Sequence, residues 1–393
     1  MTDRSLPLWK SLLFWGITLV GIPILALLLL EGASSFVLFA RDLSRPVVDV
    51  LPAAHTDYDT LLGWVNRRGF RDRDLYGHGI YFRTNAQGFR NDHDFTTAVP
   101  PGRVRLICSG DSFTLGYDVD NEHAWCAVLE RKHPRLETVN MGQGGYGVDQ
   151  VYLWYKRDGQ ALDHDLQVFA VIVDDFQRMQ LRNFPSGGGE YAKPVLALEG
   201  DSLRVGNVPV PRWSYRMPRL VAFLHQKRPA LTQLRVAQLA ETLHTRFAPD
   251  PKPSGSAAAD SATWQVADRV FADLTSVNRA KGSILVVLFL PTQGDWSGSA
   301  SHRWRRWLRL AEVQRGFVFV DLVEDLRAMP RDSIAWLFYK APPVRPGGAS
   351  GHYGELGNEW VADRLYRHLL ALPATAARLD TSLHDRQSRA PPP

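Results

Sequence analysis

Cysteine is nearly missing from this chain: Cys108 and Cys126 are the two in 393 residues. Two cysteines make neither a metal-ligand spacing nor a disulfide framework. A small cross-linked scaffold is excluded, and no metal or other cofactor is expected. Cys108 lies in an apolar run and reads as a small buried hydrophobe. A Cys108–Cys126 bridge is the alternative outside the cytoplasm, where compartment permits and geometry decides. Charge of one sign is also sparse. The net charge of +5 is spread over the whole length, with no basic run of the kind that binds nucleic acid, so no nucleic-acid partner is expected. Arg303, Arg305, Arg306 and Arg309 form one local basic patch, expected as a solvated helix face rather than a site for an acidic polymer or lipid headgroups. There is no internal repeat. Apolar runs beyond residue 40 are short, such as Ile284 to Leu290, which excludes a second membrane crossing.

One long apolar run is present. Ser11 to Leu30 carries no charge and follows Arg4 and Lys10. It is long enough to cross a bilayer, and the preceding positive charges favour an N-terminus inside and the remainder outside. Gly32-Ala33-Ser34-Ser35 is a poor cleavage site, so residues 1–40 read as an uncleaved anchor. That implies a single-pass membrane protein with its main domain extracytoplasmic. A polar, aromatic lead-in occupies residues 41–102 and holds Thr84-Asn85-Ala86-Gln87-Gly88-Phe89-Arg90; composition assigns it no chemistry.

From residue 103 to 372 the pattern alternates. Short β-branched or aromatic runs at 104–109, 136–139, 166–173, 283–290 and 317–320 are separated by helical stretches such as 122–132 and 148–157. Strand–helix alternation predicts an α/β fold, a doubly wound five-stranded parallel sheet covered on both faces. The gap between the third and fourth runs is too long for one crossover. Residues 183–265 therefore read as an insertion, with Ser186-Gly187-Gly188-Gly189, a helical stretch Leu231 to Leu243 suited to covering the site, and a Pro/Ala/Ser-rich linker from Ala248 to Thr263. Residues 373–393 read as a disordered tail.

Three fragments fall at predicted strand ends, where active sites of such sheets lie. Gly110-Asp111-Ser112-Phe113-Thr114-Leu115-Gly116 follows the first strand; a serine at a tight strand-to-helix turn presents its hydroxyl and a free backbone N–H. Asn140-Met141-Gly142-Gln143-Gly144-Gly145-Tyr146-Gly147 follows the second. Its glycines let backbone N–H groups approach a ligand, and it lacks the Gly-x-Gly-x-x-Gly of a dinucleotide site. Gly351-His352-Tyr353-Gly354-Glu355-Leu356-Gly357-Asn358 precedes the last helix and supplies a histidine able to reach back over the sheet.

The order and spacing of these fragments resemble the GDSL/SGNH hydrolase superfamily over about Arg103 to Leu372. The lead-in is similar to one found in membrane-anchored bacterial members, often linked to cell-surface polysaccharides. The resemblance implies the flavodoxin-like SGNH fold, Ser112 as nucleophile, His352 as base, and the backbone N–H groups of Ser112 and Gly145 as oxyanion donors. Two positions depart from the pattern. Where the family carries an Asn that donates to the oxyanion, this chain has Asp174, followed by Asp175. Where the family carries its acid, two or three residues before the histidine, stand Ser350 and Ala349. Asp321, at the end of the fifth strand, and Asp175 are alternative acids, and a Ser112–His352 dyad needs none. The implied activity is a serine esterase acting on an acylated carbohydrate or small ester through an acyl-serine. The rivals are an O-acyltransferase on polysaccharide, an inactive glycan-binding module, and a structural partner of a polysaccharide export machine.

Overall fold

The computed structural model describes residues 7–44, 55–186, 189–210, 234–236, 239–240, 243, 257–338 and 351–380. Five strands form the central parallel sheet: β1 (Val104–Gly110), β2 (Leu136–Gly142), β3 (Leu166–Val171), β4 (Ile284–Phe289) and β5 (Val318–Asp321), in spatial order β5-β4-β3-β1-β2. This is the flavodoxin-like order 2-1-3-4-5, so the chain reverses direction across the sheet between β1 and β3, and a crevice opens there beyond the carboxyl ends. β1, β2 and β3 are buried along their whole length, as expected of strands covered on both faces. The helices that lie between or after them include α1 (Ser112–Leu115), α2 (Trp125–Arg131), α3 (Val148–Arg157), α4 (Val173–Arg178), α5 (Ala257–Ala280), α6 (His302–Arg315), α7 (Leu322–Arg327) and α8 (Glu355–Ala371). α3, α5 and α6 pack together on one face, while α2, α7 and α8 pack on the other. The core of the second face joins Val104, Leu106 and Cys108 of β1 to Trp125, Val361 and Leu365.

The contacts divide the chain into two units: Val50–Phe184, Ala192–Arg212 and Ser256–Pro393 form one, and Met1–Asp49, Pro185–Tyr191 and Trp213–Gly255 the other. The sheet and the lead-in share the first. Within it the lead-in is packed, not appended. Asn85 Oδ1 accepts from the N–H groups of Gln87 and Phe89, and its amide donates to the carbonyl of His93. That closed turn delivers Arg90, 3% exposed, into the sheet end. Another buried arginine, Arg105 of β1, pairs with Glu137 and donates to the carbonyls of Thr96 and Thr97, which fastens the lead-in to the sheet.

In the second unit the N-terminal helix runs from Leu8 to Ser44 and includes a π-turn at Ile17–Gly21. The turn lies just before Pro23, whose missing N–H and bulky ring do not fit a regular helix interior. Leu8–Ala40 contains an 18-residue window of mean hydropathy 2.5, none of it buried, and is long and apolar enough to cross a membrane. Glu31 is buried near the far end of this span and accepts from the N–H groups of Arg235 (2.6 Å) and Val236 (2.9 Å). The described part of the helical stretch expected to cover the site is therefore engaged with the N-terminal helix.

The reading of Cys108 as a small buried hydrophobe holds: Cys108 and Cys126 are both free thiols, each buried, so the alternative bridge is absent and the pair serves as packing. Three expectations change. Pro373–Asp380 is a helix rather than the start of a disordered tail: proline suits a first turn, the following residues are good helix formers, and Leu379 enters the core. Residues 381–393 lie outside the described residues. α5 begins at Ala257, inside the expected linker. The arginine patch on α6 is partly spent internally, since Arg305 is buried and pairs with Asp321 and Glu324, and Arg309 pairs with the same two.

Candidate active site

β1 ends at Gly110 and α1 begins two residues later. Asp111 caps α1, its Oδ1 accepting from the N–H of Phe113 at 2.9 Å. Ser112 thus occupies the first helical position, where backbone N–H groups have no helical acceptor. The loop after β2 passes so close that a β-carbon on Gly142 would stand 2.0 Å from the Leu115 nitrogen; only glycine permits this approach. The lead-in holds both loops. Arg90 donates to the carbonyls of Leu115, Gly116 and Val119, and Trp64 Nε1 and the Asn66 amide donate to the carbonyls of Gly144 and Gly142.

His352 arrives from the opposite end of the sequence. Its Nε2 stands 2.8 Å from Ser112 Oγ. The imidazole lies between Phe113, with ring centroids 4.5 Å apart, and Tyr117, at 5.0 Å. Asn358 fixes the loop: its Oδ1 accepts from the N–H of Trp125 at 3.0 Å, and its amide donates to the carbonyls of Tyr353 and Gly354. The Gly354 N–H in turn donates to the carbonyl of Leu337. Ser350 and Ala349 lie outside the described residues.

The two alternative acids are committed elsewhere. Asp321 caps α7 and is held by Arg305 and Arg309. Asp175 is fully buried; its Oδ2 accepts from the Ile172 N–H and its Oδ1 from Arg178 at 2.8 Å. Burial, reinforced by nearby Asp111, pushes the Asp175 carboxyl well above its ordinary pKa, against the pull of Arg178. Asp174, at the doubtful oxyanion position, is exposed in the first turn of α4. Gly145 has φ +76°, in the left-handed region. The ring of Phe184 lies over it, and Trp64 packs on Phe184 with centroids 5.6 Å apart.

Three contributors to this arrangement escape a reading of the sequence. Arg90, Arg178 and Phe184 act on partners far along the chain; only the Asp175–Arg178 spacing, neighbours on one helix face, leaves a local trace. Asp118 is a fourth. It adopts φ +62°, is 5% exposed, and neither carboxylate oxygen has a hydrogen-bond partner. Burial raises its pKa to about 7. Among the described residues, Asp120, Glu122 and His123 are one group whose ligand-type atoms lie within 4.8 Å of one another. There His123 Nδ1 is already bonded to Asp120 at 2.7 Å.

No family model matches the sequence, and a search of curated proteins finds no match. Solved structures give distant likenesses. A member of the lipolytic protein G-D-S-L family from Veillonella parvula DSM 2008 is 14% identical, with 68% of this chain and 100% of that chain covered and a TM-score of 0.34. A lipase/acylhydrolase from Enterococcus faecalis is 9% identical, covering 68% and 96%, with a TM-score of 0.37. A catalytic mutant of an acetylxylan esterase from Geobacillus stearothermophilus is 11% identical, covering 72% and 98%, with a TM-score of 0.35. Likenesses at this level carry no activity across, so the chemistry rests on the site itself.

Proposed function

We propose that this chain is a serine ester hydrolase in which Ser112 is the nucleophile and His352 the general base. The observation that carries the reading is the 2.8 Å contact between Ser112 Oγ and His352 Nε2 at the carboxyl end of the sheet, within the reach a nucleophile–base pair requires. Ser112 Oγ attacks the ester carbonyl while His352 takes its proton. The tetrahedral oxyanion is held by the N–H groups of Ser112 and Gly145. Collapse expels the alcohol, which receives the proton from His352 and leaves an acyl-serine. Water, deprotonated by the same imidazole, then releases the acid and restores Ser112. An inactive glycan-binding module has no need of a hydroxyl and an imidazole held in this contact. Transfer of the acyl group to a sugar hydroxyl would use the same first half-reaction, and product analysis separates it from hydrolysis.

The substrate is an acyl ester of a cell-surface carbohydrate, a reading supported by the N-terminal span and by the likeness of the lead-in to anchored bacterial members. The charge-free N-terminal run, with Arg4 and Lys10 before it, supports a reading in which the enzyme is anchored in the inner membrane with its catalytic unit outside. A fluorophosphonate probe should label the full-length protein at Ser112 and leave Ser112→Ala unlabelled. Absence of label from active, folded wild type would exclude the serine mechanism.

A further inference from the structure

A single guanidinium joins the three segments that meet at the nucleophile. Arg178 Nη1 stands 2.8 Å from Asp175 Oδ1, 2.9 Å from Asp111 Oδ2 and 3.2 Å from the carbonyl oxygen of Tyr146. Asp111 immediately precedes Ser112, and its other oxygen accepts from the Phe113 N–H. Tyr146 immediately follows Gly145. Each backbone proposed to donate to the oxyanion is therefore tied, one residue away, to the same cation. The side chains of Asp111 and Asp175 are 1% and 0% exposed and that of Arg178 is 17% exposed, so these charge-assisted bonds are shielded from water and are strong. Burial works against the Arg178 charge, but Asp175 and Asp111 outweigh it and raise its pKa. The guanidinium carbon also lies 5.8 Å from the centroid of Phe184, the ring that covers Gly145.

We infer that Arg178 is a positioning residue for the oxyanion hole, holding the Ser112 and Gly145 N–H groups in register at a site where Asp174 supplies no side-chain amide. Oxyanion donors act only when held close to the position of the developing charge. All three contacts are made by the one nitrogen Nη1, a permanently charged donor whose position is set by the length and planarity of the guanidinium, which lysine does not reproduce. The inference rests on the proposal that Ser112 is the nucleophile, and its test separates the two.

Full-length wild type, Arg178→Ala and Arg178→Lys are compared by hydrolysis of p-nitrophenyl acetate and by the rate of fluorophosphonate labelling. Arg178→Ala should lower kcat about 100-fold, in the range for losing one oxyanion donor, with KM changed less than about twofold. Labelling should slow in parallel, and added methylguanidinium should restore both. Arg178→Lys keeps the charge but not the length and planarity that set the position of Nη1, and should lower kcat about tenfold with a near-wild-type melting temperature. If the alanine variant does not fold, the lysine variant decides alone. Unchanged kcat in a folded variant, a rise confined to KM, or a loss in folded Arg178→Ala that methylguanidinium leaves untouched would overturn the inference. Failure of wild type itself to take label overturns the nucleophile proposal and this inference with it; normal wild-type labelling with unaffected Arg178 variants removes the inference alone.

Discussion

The ring of Phe184 rests on the α-carbon of Gly145: a β-carbon added to the glycine would stand 2.6 Å from the ring's Cε1. The same glycine holds φ +76°, a conformation that costs an L-residue about 1–3 kcal/mol. Gly145→Ala should therefore be penalised twice, by strain and by displacement of the ring or of its own backbone N–H. We expect kcat to fall at least tenfold, in line with disturbance of one oxyanion donor. Adding Phe184→Ala should return part of the lost melting temperature, because it removes the clash and leaves the strain. Wild-type kcat in Gly145→Ala would show that its N–H plays no part.

Ser112→Ala and His352→Ala should each bring ester hydrolysis to near background. Neither side chain carries the fold, since the His352 loop is locked by Asn358 and by the Leu337 carbonyl. Unfolding midpoints should accordingly stay close to wild type. Asn358→Ala should do the reverse of a purely catalytic change, lowering the melting temperature as well as kcat, because it leaves the buried Trp125 N–H without its acceptor.

Asp118 gives a stability signature with a definite sign. Burial raises its pKa from 3.8 to about 7 in the folded protein, so between those values the native state binds the proton that the unfolded chain has lost. Stability therefore falls as pH rises through that window and levels off above it. Asp118→Asn removes the ionisation and places a residue tolerant of positive φ at this position. It should stabilise the protein at pH 8, by at most ~4 kcal/mol, and by far less at pH 4. Denaturant titrations of both proteins at the two pH values provide the check; equal gains at both would mean the carboxylate is not the cause.

Asp174 is exposed, which favours a side chain turned to solvent with the oxyanion left to backbone donors. Wild type should then show activity rising as the histidine base loses its proton, with no falling limb from Asp174. Asp174→Asn should keep that shape and raise kcat by up to the ~100-fold associated with one added donor. A falling limb that disappears in the mutant would instead show a protonated Asp174 at work.

The N-terminal span predicts a topology. Protease added to intact spheroplasts should degrade the unit that carries the sheet, and protection until the membrane is broken would place that unit in the cytoplasm. A variant with Arg4 and Lys10 replaced by glutamate should insert with mixed orientation, because positive charges flanking the span set its direction.

Much of the fold was legible because it is written in short windows. The apolar runs of β1, β3 and β4 lie within a residue or two of where β-branched content and polar boundaries put them, β2 runs three residues further, to Gly142, and the fifth strand is displaced by one residue, at 318–321. Ser112 and His352 were legible because each sits in a turn whose chemistry is local. The linker and tail were misjudged for the opposite reason. Ala257–Ala280 and Pro373–Asp380 contain helix formers beside prolines and small residues, and the buried partners of Phe271 and Leu379, not composition, made them helices.

The sequence by itself determined the membrane-length apolar helix, the alternation that builds a parallel sheet, and the residue types at its carboxyl ends. Those are properties of periodicity and turn preference, which act over a few residues. Only the tertiary structure decided how the pieces are held. Ser112 and His352 are 240 residues apart in the chain, and Arg178 and Asp111 are 67 apart. Arg90 reaches the carbonyls after Ser112 because the lead-in runs along the edge strand β2, where the Arg90 N–H donates to the Asn140 carbonyl and Asn91 bonds the main chain of Thr138 and Asn140. Each of these contacts depends on strand order, on which crossover brings β3 next to β1, and on burial that makes a guanidinium seek acceptors. Nothing in a local window encodes those, since the same Arg or Asp in an exposed helix would be solvated and idle.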